Sequence, residues 1–342
     1  MTPSQSPPMG RVDIHSHFMP SRSQRGDSDL PRLVVDPGEG RIMIGERIFR
    51  TVQPALWDVE KRLTSLDEAG ISHQVISPVP VTLAGSASEA DTTRYLQAQN
   101  DGLLDAAARS GGRLLVFGAV PMFTIAGAVR ELDRLAGFPG VVGVEMSSLP
   151  GGRELDDPEL WPFYAAAEEH DLALFVHPTQ QQSAVRGREK PYPFAIGMHT
   201  DTALAASAVV LGGVLERFAN LRLAFAHGCG SLPWTYPRLR TAACADDPAQ
   251  SERLDALLAR LWCDTLVFEP RLLELLAARF GPDHLLIGSD YPFYRTPLAE
   301  LVAIGDKAGE AGAIDDDTVD AMSLQNAAAF FGRRSPLGPP NS

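Results

Sequence analysis

An α/β barrel of eight parallel strands, each leading into helical sequence, is the fold this chain predicts, and three observations predict it. Apolar runs of strand length alternate with Ala/Leu/Glu/Arg-rich helical segments through most of the sequence. His15, His17, His177, His227 and Asp290 all fall at the C-terminal ends of such runs, and those ends converge on one mouth when a parallel sheet closes on itself. No linker, and no repeat beyond the strand–helix rhythm, divides the 342 residues, a length that a single barrel reaches. In a doubly wound open sheet, the second choice, the two edge strands would lie too far apart for their polar residues to share a ligand.

Residues 1–10 are rich in Pro and Ser without a hydrophobic stretch, which reads as a flexible arm and not a signal peptide. Residues 11–18 form strand one. Residues 19–56 are irregular, with one hairpin over 41–50, and an insertion of that length is expected to act as a lid or binding loop. From Asp58 the period becomes helical: Val59, Leu63, Leu66 and Ala69 share a face and Gly70 supplies the stop. The following strands are expected at 73–80, 113–121, 141–147, 172–177, 221–227, 262–267 (the weakest) and 285–290, with helices such as 92–109, 158–170 and 270–280 between them. One domain then spans 11–333, and 334–342 is a tail.

Composition narrows the function. A formal charge of -13 without any Lys/Arg run argues against nucleic acid and against an anionic membrane surface. Three cysteines without close pairing fit a reducing compartment, no apolar run is read as a membrane span, and cytoplasm is the expected location. Phosphate-binding glycine loops, nucleotide fingerprints and serine nucleophile elbows are missing, so the chemistry on offer is a metal with acid/base groups.

Side chains two apart on a strand share a face, so His15 and His17 offer two imidazoles to one object, most naturally a metal ion. A polar pair at a strand end is the bland alternative. His177 and His227 each close an apolar run; either alone would pass for a satisfied core histidine, but two in matching positions point to function. Asp290, after Leu285-Leu286-Ile287, repeats the pattern with a carboxylate, or caps a helix. Glu145 at the end of strand four is expected to be solvated or paired, with bridging of a second metal as the alternative. Cys229 between two glycines is expected to pack as a small apolar group. His73, His170 and His284 lie at the wrong end of the barrel, and His199 is left open.

Four stretches, Val-Asp-Ile-His-Ser-His-Phe-Met-Pro from Val12, Val176-His177-Pro178, Ala226-His227-Gly228-Cys229-Gly230 and Gly288-Ser289-Asp290-Tyr291-Pro292-Phe293, resemble the amidohydrolase superfamily. Phe49-Arg50, Ala55-Leu56-Trp57-Asp58 and Val267-Phe268 narrow the resemblance to its aminocarboxymuconate semialdehyde decarboxylase branch, over residues 11–332. The resemblance implies a distorted (β/α)8 TIM barrel holding one divalent metal ion, Zn2+ with Mn2+ as the alternative, and no organic cofactor. His15, His17, His177 and Asp290 match the ligand positions, and His227 matches a catalytic histidine that is not needed as a ligand. Arg50 and Arg238 match arginines that hold substrate carboxylates, Arg238 being contributed across a homodimer interface. Strand four lacks the lysine that bridges two metals in binuclear relatives. The chain departs from the pattern at Thr179, where the decarboxylase has an aromatic residue, at Cys229 and Glu145, and at Tyr192 and Phe194, where it has tryptophans.

The resemblance therefore implies a metal-dependent, non-oxidative carboxy-lyase acting on an unsaturated ring-cleavage acid, an amino- or hydroxy-carboxymuconate semialdehyde, in aromatic catabolism. Alternatives are a hydratase or hydrolase of a related dicarboxylate and a decarboxylase of a hydroxybenzoate. A metal-stabilised binding protein without turnover is disfavoured, since a ligand set with an open position beside a free histidine suits catalysis.

Overall fold

The computed structural model describes residues 10–21, 30–83, 88–179 and 183–337. Eight strands pair in parallel in the order β1 (Arg11–His17), β5 (Ile71–Ser77), β6 (Leu114–Gly118), β7 (Val141–Ser147), β8 (Ala173–His177), β9 (Leu223–Phe225), β10 (Trp262–Asp264) and β11 (Leu285–Leu286). The residues after β11 return to β1: Ile14 N–H donates to Ile287 O at 2.9 Å, and Asp290 N–H to His15 O at 2.8 Å. Those bonds bring the last strand beside the first and close the barrel.

Strand residues sort between two cores with period two, as a sheet covered on both faces requires. Val12, Ile14, Val75, Leu115, Phe117, Val142, Phe175 and Ala224 fill the barrel interior. Ile76, Leu114, Val116, Val141, Val144, Leu174, Val176, Leu223 and Phe225 face the surrounding helices. The helix Asn326–Phe331 puts Phe330 and Phe331 into the interior cluster, and Asn326 donates to Pro282 O and Leu285 O, so this helix plugs the end where strands begin. Arg334 is tied to the same end by its bond to Val141 O at 2.8 Å. The opposite end stays open for chemistry.

Helix α1 (Val59–Ala69) begins and ends on residues legible in sequence: Asp58 accepts from the N–H groups of Glu60 and Lys61, and Gly70 takes a left-handed conformation at φ 66°. Helix α2 (Glu89–Arg109) starts three residues before expectation because Ser88 caps it. The stretch 158–170 divides into a turn, Pro158–Leu160, and a helix, Trp161–Glu169.

Three features differ from the sequence reading. The insertion holds a three-stranded antiparallel sheet, not one hairpin: β2 (Arg32–Asp36), β3 (Glu39–Ile44) and β4 (Arg47–Val52). The extra strand offers only Leu33-Val34-Val35 as signal, set between Pro31 and Pro37. Met19, Leu33, Ile42, Val52, Leu56 and Val79 bury this sheet against the barrel mouth, with Phe49 and Phe293 beside them. Strands β9, β10 and β11 stop two to four residues early, because side-chain carboxylates replace the ladder there: Asp264 Oδ1 accepts from Gly228 and Leu266 N–H, and Asp13 Oδ1 from Ser289 N–H. Lastly, Pro193–Leu211 is long and apolar enough to match a membrane span, contrary to expectation. Its Ala203, Ala205, Ala206, Val209 and Val210 are buried in the core against the barrel, while Ile196, Leu204 and Leu211 are exposed.

Candidate active site

Among the described residues, His15, His17, His177 and Asp290 form the one group of metal-ligating type, with one ligand atom from each within 4.8 Å of the others, all buried. Nε2 of His15 and Nε2 of His17 are 3.3 Å apart, and Asp290 Oδ1 lies 3.0 Å from His17 Nε2. Each histidine has an acceptor at its other nitrogen: Asp264 Oδ2 at 2.6 Å from His15 Nδ1, Pro78 O at 3.0 Å from His17 Nδ1, and Pro178 O at 3.1 Å from His177 Nδ1. Acceptors there keep the proton on Nδ1 and turn the three Nε2 lone pairs toward a common point. His177 Nε2 and Asp290 Oδ1 are buried without a well-aligned hydrogen bond. Orphaned atoms of this kind are costly unless something binds them. Three imidazoles and a carboxylate around one point fit a divalent transition ion.

The electrostatics agree. Burial, with the neighbouring His227, His15 and His17, holds the His177 pKa well below the ordinary value, so it is a neutral donor. Burial opposes ionisation of Asp290, but the close contact with His17 and the nearness of His15 outweigh it and keep the carboxyl well below the usual range. For His15, burial is outweighed by the bond to Asp264, which raises the pKa to about 9 in the metal-free protein.

His227 lies beside the group without joining it, its ring 5.1 Å from that of His177 and 5.4 Å from that of His15. Burial lowers its pKa to about 4, so it is neutral at physiological pH and able to accept a proton. It sits on a left-handed turn: His227, Gly228, Cys229 and Gly230 have φ of 59°, 62°, 62° and 62°. A Cβ at Gly230 would come within 2.3 Å of His199 O, so glycine is needed for this close approach. Non-glycine residues at such φ cost energy and persist where the surroundings hold them, typically at functional sites. Cys229 is fully buried in the core cluster, as expected. His199, left open by the sequence, has its ring 6.0 Å from that of His227.

A cavity of about 170 Å³ opens from these residues, with His177 and Asp290 at its base and Phe49, Val79, Phe194, Met198 and Phe293 among its apolar walls. Arg50 on β4 reaches it, its guanidinium 4.4 Å above the Phe293 ring and donating to Phe293 O at 2.7 Å. Thr179 and Tyr294 add hydroxyl groups to the lining. Of the two aromatic departures, Phe194 lines the cavity while Tyr192 is exposed and accepts a bond from Arg188. Arg238 is outside this cavity, exposed on the helix Leu232–Ala243, beside a groove it shares with Ala203, Leu204 and Thr235.

Glu145 is paired but not solvated: it is fully buried, and His17 Nδ1 lies 3.7 Å from its Oε2, within ion-pair distance. Its strand position faces the closed barrel interior, where water does not reach, and burial pushes its pKa up. His73, His170 and His284 are remote from the group; His170 pairs with Asp133 and His284 with Asp283.

Two residues escaped the sequence reading. Asp264 is a carboxylate at a strand end, like Asp290, but a strand drawn out to 267 hid that position. Arg62 is fully buried beneath the site and donates to Ala55 O, Ser16 Oγ, Gln74 Oε1 and His17 O. Its place on the face of Val59 and Leu66 was the available signal.

Comparison with known proteins gives a family match and close architectural likeness. A family model described as amidohydrolase matches residues 12–333. The 2-amino-3-carboxymuconate-6-semialdehyde decarboxylase of Dictyostelium discoideum is 29% identical over 341 residues, covering 94% of this chain and 91% of the relative. The 6-methylsalicylic acid decarboxylase of Aspergillus aculeatus is 25% identical, covering 94% and 96%. The crystal structure of a dihydroxybenzoic acid decarboxylase from Polaromonas sp., with bound manganese and an inhibitor, superposes with a TM-score of 0.76 at 19% identity, covering 94% of this chain and 96% of that one.

Proposed function

The chain belongs to the amidohydrolase family, and from that premise we propose that it is a metal-dependent, non-oxidative decarboxylase of a small unsaturated or aromatic carboxylic acid. The observation that carries the reading is a three-histidine, one-aspartate group at the barrel mouth, beside a neutral histidine and under an apolar cavity reached by one arginine. The curated relatives named above are decarboxylases of such acids along nearly their whole length, which supports the same reaction class.

His15, His17, His177 and Asp290 would hold one divalent ion, Zn2+ or Mn2+, which supplies Lewis-acid polarisation and a lowered pKa for bound water. Everything else falls to the chain. Arg50 keeps N–H groups beyond its bond to Phe293 O and grips a substrate carboxylate in the cavity. The walls of Phe49, Val79, Phe194 and Phe293 exclude water and strengthen that contact. His227 takes and returns a proton at the reacting carbon or its attacking water, and its neutral form is the one present at physiological pH.

A second copy of the chain would deliver Arg238, making a homodimer the smallest active unit. Its support is that Arg238 makes no ion pair among the described residues and lies outside its own cavity, beside the exposed Leu204 and Trp234. A cytoplasmic location is part of the same reading. The test is CO2 release and loss of ultraviolet absorbance, with Zn2+- and Mn2+-loaded protein, across carboxymuconate semialdehydes and hydroxybenzoates. CO2 from at least one acid is expected. A product that keeps every carbon and gains water would replace decarboxylation by hydration.

A further inference from the structure

One carboxylate touches both halves of the site. Asp264 ends β10 fully buried; its Oδ2 is 2.6 Å from Nδ1 of His15, and its Oδ1 accepts the N–H of Gly228 at 2.9 Å and of Leu266 at 3.1 Å. The first contact fixes which nitrogen of His15 carries the proton and aims Nε2 at the ligand group. The second contact pins the left-handed turn that presents His227. A residue with a Cβ is disfavoured in that conformation, and this turn contains two, His227 and Cys229. The bond from Gly228 N–H to Asp264 ties the turn to the barrel strand β10. The ring of His227 has no hydrogen-bond partner at Nδ1 to fix it.

We infer that Asp264 is a positioning residue with two separable duties: its Oδ2 sets metal affinity through His15, and its Oδ1 sets proton transfer through the pose of His227. The inference rests on the metal-dependent reading of the site. Two oxygens are the reason that only a carboxylate serves. An asparagine of the same shape has one oxygen and one NH2 group. With its oxygen toward Gly228 it faces the His15 Nδ1–H with donors; reversed, it faces the Gly228 N–H with donors. Either way one duty fails.

The test is Asp264→Asn in the full-length chain. Stripped protein is titrated with Zn2+ against a chromophoric chelator, and affinity is expected to fall about 10–100-fold, as for other carboxylates behind metal-bound histidines. At saturating Zn2+, on the acid that the wild type turns over fastest, kcat should stay depressed with KM little changed, since the turn carrying His227 is loosened. Unchanged Zn2+ affinity overturns the duty through His15; full recovery of kcat at saturating Zn2+ overturns the duty through His227. Should the variant not fold, nitrogen-15 imidazole spectra of the Zn2+-loaded wild type still decide the first duty: a proton on Nδ1 of His15 is expected, and its absence overturns the proposal. Affinity and spectra need no substrate. A wild type that binds Zn2+ but releases no CO2 from any acid therefore defeats the decarboxylase reading and leaves the Asp264 result standing.

Discussion

At Gly288 a methyl group would pry apart His15 and the carboxylate behind it. A Cβ built there would lie 2.7 Å from Cβ of Asp264, 3.2 Å from its Cγ and 2.9 Å from Cβ of His15. Carbon–carbon contacts settle at about 3.5–4.0 Å, so both neighbours must give by at least about 0.6–0.8 Å. Neither can give cheaply: both are fully buried, and they are joined to each other by the 2.6 Å bond that the methyl would lever. Overpacking of this kind costs about 1–3 kcal/mol. In Gly288→Ala the expected outcome is therefore a melting temperature lower by several degrees and Zn2+ affinity reduced by about 10–100-fold, the loss typical when a ligand's supporting contact is disturbed. Gly140→Ala is the control: its Cβ meets nothing within 4 Å, and it should melt and bind metal as the wild type does. The assays are differential scanning calorimetry of stripped protein and chelator competition. A Gly288→Ala protein with wild-type stability and affinity would show that the mouth yields freely and refute the idea of a preorganised site.

His227→Ala should keep its metal and lose about 10²–10⁴-fold in turnover, the contribution of a positioned base, whereas Asp290→Ala should lose the metal itself by elemental analysis. Arg238→Ala should bind metal normally but turn over poorly; mixed with His227→Ala it should regain activity, since one pocket of each mixed dimer carries neither defect, and no recovery in verified mixed dimers would assign Arg238 to its own surface. In the metal-free protein, His227 is held neutral down to about 4 while the unfolded chain protonates near 6.5, so stability should fall with acid across that window by up to about 1.4 kcal/mol per pH unit from this group, with His177 adding in the same direction. His15, raised to about 9, acts oppositely: its stabilisation is full below about 6.5 and is lost as pH rises through 9. Urea unfolding of stripped protein from pH 4 to 9 should thus show a maximum inside the range, and a flat profile would contradict both assignments.

The order of strands and helices was legible because an apolar period of two or of 3.6 is a local property that the chain carries wherever it folds. The four residues of the ligand group were legible for a related reason: a polar side chain at the end of an apolar strand has few bland explanations, and a closed parallel barrel gathers such ends. Tertiary structure decided what depends on contacts between distant segments. Asp264 acquires its place only because β10 stops there and its oxygens meet His15 and Gly228, from strands 249 and 36 residues away in sequence. Glu145 is buried because the barrel closes over it, and Arg62 is buried because α1 presses a basic side chain against Ser16, His17 and Gln74. The early ends of β9 and β11 have the same origin: ladder bonds yield to the carboxylates of Asp264 and Asp13, supplied from other strands, and hydropathy along one strand does not register an acceptor that arrives from another.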